Sequence, residues 1–213
     1  MKLTKYEHAC VVAEKDGTSI AIDPGTFSSD AAGIVAWADA ILITHEHADH
    51  VSEAAINAAL ADRPDLTVYG PEAVRGLFAA HPGQFTAVAA GTALKVGSFT
   101  VTVHGAEHAV IHPFVPGCAN VGFLLDGSVY HPGDAYHVPK AAVTTLLLPV
   151  SGPWTKFGEA IDYVRAVQPQ QTVQIHESLL SETGQKAAGA LLGGKGPARI
   201  PMATIAVGQS LTV

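Results

Sequence analysis

Ala40-Ile41-Leu42-Ile43-Thr44-His45-Glu46-His47-Ala48-Asp49-His50 joins a short apolar, β-branched run to three histidines and an aspartate within six positions. The first half predicts a buried strand over Ala40–Thr44, and the second half starts where that strand must end. Open α/β sheets place their ligands at the carboxyl ends of strands, so the position is as informative as the composition. A solvated loop is built cheaply from Gly, Asn, Asp and Ser and has no need of histidine. Imidazole and carboxylate together suit Zn²⁺, Mn²⁺ or Fe²⁺. Four donors this close cannot all reach one ion from a tight turn, so two metals are the natural reading.

Outward from that strand, apolar runs alternate with Ala-rich helical patterns. Further strands are expected at Ala9–Ala13, Thr18–Ile22, Leu66–Tyr69, Phe99–His104, Val121–Leu125, Thr145–Leu148 and Thr172–Ile175, with a last pair around Ala203–Val213. Helices are expected at Ser28–Trp37, Ser52–Ala61, Pro71–Ala80, Lys156–Val167 and Ser181–Leu191. In the fourth, Phe157, Ile161, Val164 and Val167 form one apolar stripe. Asp16-Gly17 and Asp126-Gly127 are hairpin turns, so antiparallel pairs stand beside parallel βα units. That mixture implies a layered α/β sandwich of mixed sheets, with residues 1–213 as a single domain and no linker. Gly76–Leu94 carries no charge, but His81-Pro82-Gly83-Gln84 at its centre reads as a turn, which excludes a membrane helix.

The pattern His45-x-His47-x-Asp49-His50 resembles the signature of the metallo-β-lactamase superfamily. The resemblance implies a four-layer αββα sandwich of two mixed sheets flanked by helices. It also implies His45 and His47 on one metal and Asp49 and His50 on the other. Ile22-Asp23-Pro24-Gly25 resembles the family's second-strand motif, whose aspartate supports the ligand histidines. His131-Pro132-Gly133-Asp134 resembles the segment that supplies a bridging aspartate, Asp134, and Ile175-His176 the final histidine of the second metal. The third histidine of the first metal is expected between His50 and Asp134, where His108 is preferred, His112 comes next and His104 last. Strand, small turn and Glu107-His108 resemble the branch that contains ascorbate-6-phosphate lactonase and N-acyl-phosphatidylethanolamine phospholipase D. Tyr6-Glu7-His8-Ala9 and Pro149-Val150-Ser151-Gly152-Pro153-Trp154-Thr155 look like motifs of that branch, with Glu7 and Ser151 in place of glycines. His8, His131 and Thr155 are therefore candidates for supporting or substrate-side roles.

Departures narrow the function. The best-known true β-lactamases have Arg where His50 stands and use a cysteine on the second metal. With His50 present, Cys118 is not needed and reads as a small buried residue. Asp134 and His176 are too close in sequence for the insertion of the RNA-processing nucleases. Twelve Lys and Arg against 19 Asp and Glu give a net charge of −7, which disfavours nucleic acid or an anionic membrane as partner. Two cysteines suit a reducing cytoplasm. His81 and His137 read as solvated, and Trp37, Phe78, Phe114 and Phe123 as packing residues. Trp154 and Phe114-Val115 have the alternative of walling a substrate mouth.

The expected function is a cytoplasmic, metal-dependent hydrolase acting on an ester, lactone or phosphodiester of a small molecule. Two divalent ions, zinc foremost with manganese or iron as options, would activate the attacking water. Asp49 is the expected proton acceptor, and His131 or His112 the acid at the leaving group. Two other classes stand beside it: a mononuclear iron redox enzyme resembling persulfide dioxygenases, and a metal-binding module without catalysis.

Overall fold

The computed structural model describes residues 1–213. Its first sheet contains β1 (Lys2–Lys5), β2 (Val11–Lys15), β3 (Thr18–Ile22), β4 (Ala40–Leu42), β5 (Thr67–Gly70) and β6 (Phe85–Ala87) in that spatial order. The second contains β7 (Ala93–Val96), β8 (Phe99–His104), β9 (Gly122–Leu125), β10 (Val129–His131), β11 (Thr145–Pro149), β12 (Gln171–Ile175) and β13 (Met202–Ala203), again as neighbours in order. β14 (Ser210–Thr212) returns to the first sheet and lies antiparallel to β1. Both sheets are mixed. β3, β4 and β5 are parallel while β2 and β3 form a hairpin, and β9 and β10 form a hairpin beside the parallel trio β10, β11 and β12. Both hairpin turns carry positive φ at their Asp and Gly residues, the hand that matches strand twist.

Alternation along the strands sorts the core into layers. Ile20, Ile22 and Leu42 point between the sheets, where they meet Phe99, Phe123, Leu147, Val173 and Ile175. Ile41, Ile43 and Val68 point outward and are covered by α2 (Glu53–Asp62) through Ile56 and Leu60. α1 (Ala31–Trp37) covers Val12 and Ala21 with Ile34. On the far side, Leu146, Leu148 and Tyr130 pack under α3 (Phe157–Val167) and α4 (Glu182–Leu192). Helix, sheet, sheet and helix therefore form four layers, as the resemblance implies. In α3 the deepest residues are Ala160, Tyr163 and Val164, while Phe157, Ile161 and Val167 flank them half-buried. No helix is long and apolar enough to cross a membrane.

Four local expectations are corrected. Residues Glu72–Phe78 form a 3₁₀ helix rather than an α-helix over Pro71–Ala80. Gly76 sits inside this short segment, where it lowers α-helical propensity. The pair expected at Ala203–Val213 is split, with β13 beside β12 and β14 beside β1. Trp37 and Phe114 are exposed rather than packed. Cys118 is half-buried, with its Sγ 3.9 Å from His47 Nε2.

Candidate metal centre

The functional loops leave the carboxyl ends of strands from both sheets and meet at one rim of the sandwich. Asp23 follows β3, His45–His50 follows β4, His108 lies four residues past β8, Asp134 three past β10, and His176 follows β12. Asp23 is fully buried and holds this rim together. It accepts from Thr44 N at 2.8 Å, Thr44 Oγ1 at 2.6 Å and His50 Nδ1 at 2.7 Å. Thr44 Oγ1 also lies 3.0 Å from His45 Nδ1. Because that hydroxyl gives its proton to Asp23, it accepts from His45. Both imidazoles are thereby fixed with Nδ1 protonated and the Nε2 lone pair presented to the rim. His108 reaches the same state by donating Nδ1–H to Ala109 O at 2.6 Å.

Two donor groups result. The ligand atoms of His45, His47 and His108 all lie within 4.8 Å of one another, and so do those of His8, Asp49, His50 and His176. Asp134 connects them. Its Oδ1 is 3.1 Å from His50 Nε2 and 3.2 Å from His176 Nε2, and its Oδ2 is 3.4 Å from His108 Nε2. These atoms are near each other without being aligned as hydrogen bonds: His50 Nε2, His108 Nε2, His176 Nε2 and Asp134 Oδ1 are all buried and unpartnered. Buried polar atoms left this way are costly unless something between them takes their lone pairs. Cations of the zinc, manganese or iron type fit that space and that donor set.

Charge within the group follows the same geometry. Burial opposes the negative charge of Asp134, but the imidazoles of His50, His108 and His176 that face it outweigh burial and hold the carboxyl well below its usual range. Asp49 is likewise depressed against burial by His176 and His8. Burial would push His50 down, yet Asp134 and Asp23 raise it well above an ordinary imidazole, and Asp134 and Asp49 raise His176 in the same way. Burial lowers His45 and His47. Without metal, protons on His50 and His176 supply the positive charge that the two carboxylates require.

Of the histidines between His50 and Asp134, only His108 joins the cluster. His104 turns away to Thr102 Oγ1 at 3.0 Å and lines a separate cavity of about 850 Å³ with Glu107, His137 and Lys140. That cavity contains no member of either donor group. His112 is exposed and accepts from Phe114 N at 3.2 Å. His131 is fully buried, with Nδ1 accepting from Gly133 N at 3.1 Å and Nε2 donating to Ala9 O at 2.9 Å. Neither nitrogen is free to pass a proton to substrate; the ring shapes the turn that carries Asp134. Thr155 Oγ1 is tied to Gly152 O within its own loop.

One contributor, Asn120, escapes a reading of the sequence, and Gly133, Trp154 and His8 take roles sharper than the sequence implies. Asn120 Oδ1 accepts from Asp134 N at 3.0 Å while its Nδ2 donates to Pro132 O at 2.9 Å, clamping the turn. Gly133 sits there at φ 64°, where a Cβ would lie 2.2 Å from Asn120 Oδ1 and 2.7 Å from Thr44 Cβ. Trp154 Nε1 donates to Asp134 Oδ2 at 3.0 Å. His8 is placed among the donors themselves, with Nε2 3.0 Å from Asp49 Oδ2 and its ring 3.7 Å from that of His176. His8, Asp23 and His176 all adopt positive φ, a concentration of strained backbone of the kind found at functional sites.

The model of the beta-lactamase superfamily domain matches residues 2–176. The chain belongs to the metallo-β-lactamase superfamily. Within it, the chain is 39% identical over 187 residues to the Mycobacterium tuberculosis protein Rv0786c, covering 85% of this chain and 86% of that one. A UPF0173 metal-dependent hydrolase of Myxococcus xanthus is 29% identical over 197 residues, covering 82% of this chain and 70% of its relative. Among solved structures, Igni18, a metallo hydrolase from the archaeon Ignicoccus hospitalis, superposes with a TM-score of 0.72 over 99% of this chain and 97% of its own at 19% identity, which shows a shared fold.

A substitution series separates the three histidines. His108→Ala should lower metal affinity by more than the roughly 10–100-fold typical of losing a supporting residue. His104→Ala and His112→Ala should keep their metal. Metal content after dialysis against a weak chelator checks this; loss from His112→Ala with retention by His108→Ala would reverse the assignment.

Proposed function

We propose that the chain, a metal-dependent hydrolase by family, cleaves an ester, lactone or phosphodiester of a small molecule at a two-cation centre. His45, His47 and His108 would hold one ion and Asp49, His50 and His176 the other, with Asp134 facing both. The observation that carries this is the pair of donor groups joined by Asp134 through buried, unpartnered atoms. Two divalent cations held there would lower the pKa of a water between them towards about 7 and polarise the bond under attack.

The chain's own residues supply the rest. The Asp49 side chain is 23% exposed while those of His50, His176 and Asp134 are buried, so it is the carboxylate that meets solvent and substrate. Its Oδ2, oriented by His8, is the acceptor for the proton of the attacking water. Asp23 and Thr44 keep the imidazole lone pairs aimed, so little reorganisation is needed as charge develops. Elemental analysis alongside titration of activity with zinc, manganese or iron tests the centre, using ester, lactone and phosphodiester substrates. The expected result is close to two ions per chain, with turnover following the second; saturation at one ion with full activity would overturn it.

A further inference from the structure

Large apolar side chains are exposed at ten positions, and six of them crowd the rim of the metal centre. Val110, Ile111, Phe114 and Val115 stand on the loop 109–117, with Phe114 91% and Val110 76% exposed. Phe27 lies edge-on to His8 at 4.9 Å, and Leu179 follows His176 by three positions and is exposed. The loop begins directly at His108 and is anchored at its root, where His108 N bonds Cys118 O and Ala109 N bonds Asp134 O. Its inner face and His47, His108 and Cys118 enclose a cleft of about 80 Å³. Exposed apolar patches of this kind mark binding surfaces.

Charge around the rim is one-sided. The segments 23–30, 44–50, 104–118, 131–138, 150–155 and 175–180 contain no Lys or Arg. Glu46 and Glu107 are exposed there. Lys5 is the cation behind His176, but it is 3% exposed and its Nζ is committed to Glu177 Oε1 at 2.7 Å and to the carbonyls of Tyr6 and His8. Phosphate groups are normally met by Arg forks or Lys. Those segments offer no side chain of either kind; Lys140, on the cavity of His104, and Lys156, paired with Glu159 at 2.9 Å, stand just outside them.

We propose that the substrate is an uncharged carbonyl compound, an ester or lactone, with an aliphatic or aromatic group that packs on the 109–117 loop. This rests on the two-cation hydrolase reading and selects among its bond types. An apolar group leaving the cleft beside His47 and His108 would run along Val110 and Phe114, covering surface that is otherwise wet.

The test uses cobalt-loaded protein and straight-chain carboxylates from acetate to octanoate, read by the visible cobalt bands. Binding should tighten roughly two- to fourfold per methylene. The double variant V110S/F114S, both sites being exposed, should fold normally and flatten that slope. Turnover should favour p-nitrophenyl hexanoate over bis(p-nitrophenyl) phosphate. Equal binding at all chain lengths, or preference for the phosphodiester, overturns the proposal while leaving the metal centre intact. Cobalt bands that no carboxylate shifts would overturn the proposal, and the absence of any protein-bound cobalt bands would remove the centre with it. If the wild type self-associates, the double variant does not, and the slope is unchanged in both, the loop is a self-interface and the proposal fails.

Discussion

Stripped of metal, the protein should melt well below its loaded form. The donor groups are assembled only in the native chain, from loops that follow five strands of two sheets, so an ion bound there stabilises the folded state alone. At a free metal concentration of about 1,000 Kd, one site contributes roughly 4 kcal/mol. For a domain of this length each kcal/mol moves the midpoint by about 2–4 °C, so chelation should lower it by roughly 8–16 °C. The difference should also widen with pH. His50 and His176 have folded-state pKa values raised above the ordinary 6.5. Above about pH 6.5 the unfolded chain has shed these protons while the metal-free native state keeps them, so that state loses stability as pH climbs through the raised values. The loaded protein holds the same imidazoles neutral and does not share the loss. Thermal melts with and without chelator at about pH 7 and about pH 8.5 check both points. An unchanged midpoint after confirmed metal removal would mean that the cluster is not a metal site.

What could be read from the chain alone follows from how local each contact is. His45–His50 comes off one strand, and its donors are close because they are neighbours in sequence. Asp23 and His176 stand at strand ends, and Asp134 in a short turn after β10, which apolar runs make visible. Asn120 was invisible for the opposite reason: it acts on Asp134 from outside its turn and nothing in its neighbours' pattern announces it, while Trp154 stands in a recognisable motif that gives no sign of its bond to Asp134. His131 has the residue type of a catalyst, and only its two backbone bonds show it to be a fixed strut. The same rule holds for the fold. Hairpins with Asp-Gly turns were legible, whereas β1, a polar-looking Lys-Leu-Thr-Lys, pairs with residues 210–212 from the other end of the chain. Pairing over that distance is decided by tertiary packing, not local propensity.

Asp134→Asn should be the most damaging conservative change. The substitution preserves shape and removes the charge that two raised imidazoles and both donor groups depend on. It also forces a choice of orientation. Trp154 Nε1 donates to the Oδ2 position, so an amide must turn its oxygen there to avoid donor meeting donor. The amide nitrogen then occupies the Oδ1 position, 3.1 Å from His50 Nε2 and 3.2 Å from His176 Nε2, where it offers hydrogens to whatever those lone pairs hold. The group of His45, His47 and His108 keeps its three imidazoles, so metal content should fall from about two ions to about one. Turnover should drop by more than about 100-fold, beyond the loss typical of a supporting residue. Asp23→Asn is the matching control: it removes the charge behind His50 and the acceptor of Thr44, and should weaken metal binding about 10–100-fold while excess metal restores activity. Metal analysis and turnover at rising metal concentration distinguish the two. If Asp134→Asn retains both ions and more than about a tenth of the activity, then Asp134 does not link the two groups and the chemistry resides in one of them alone.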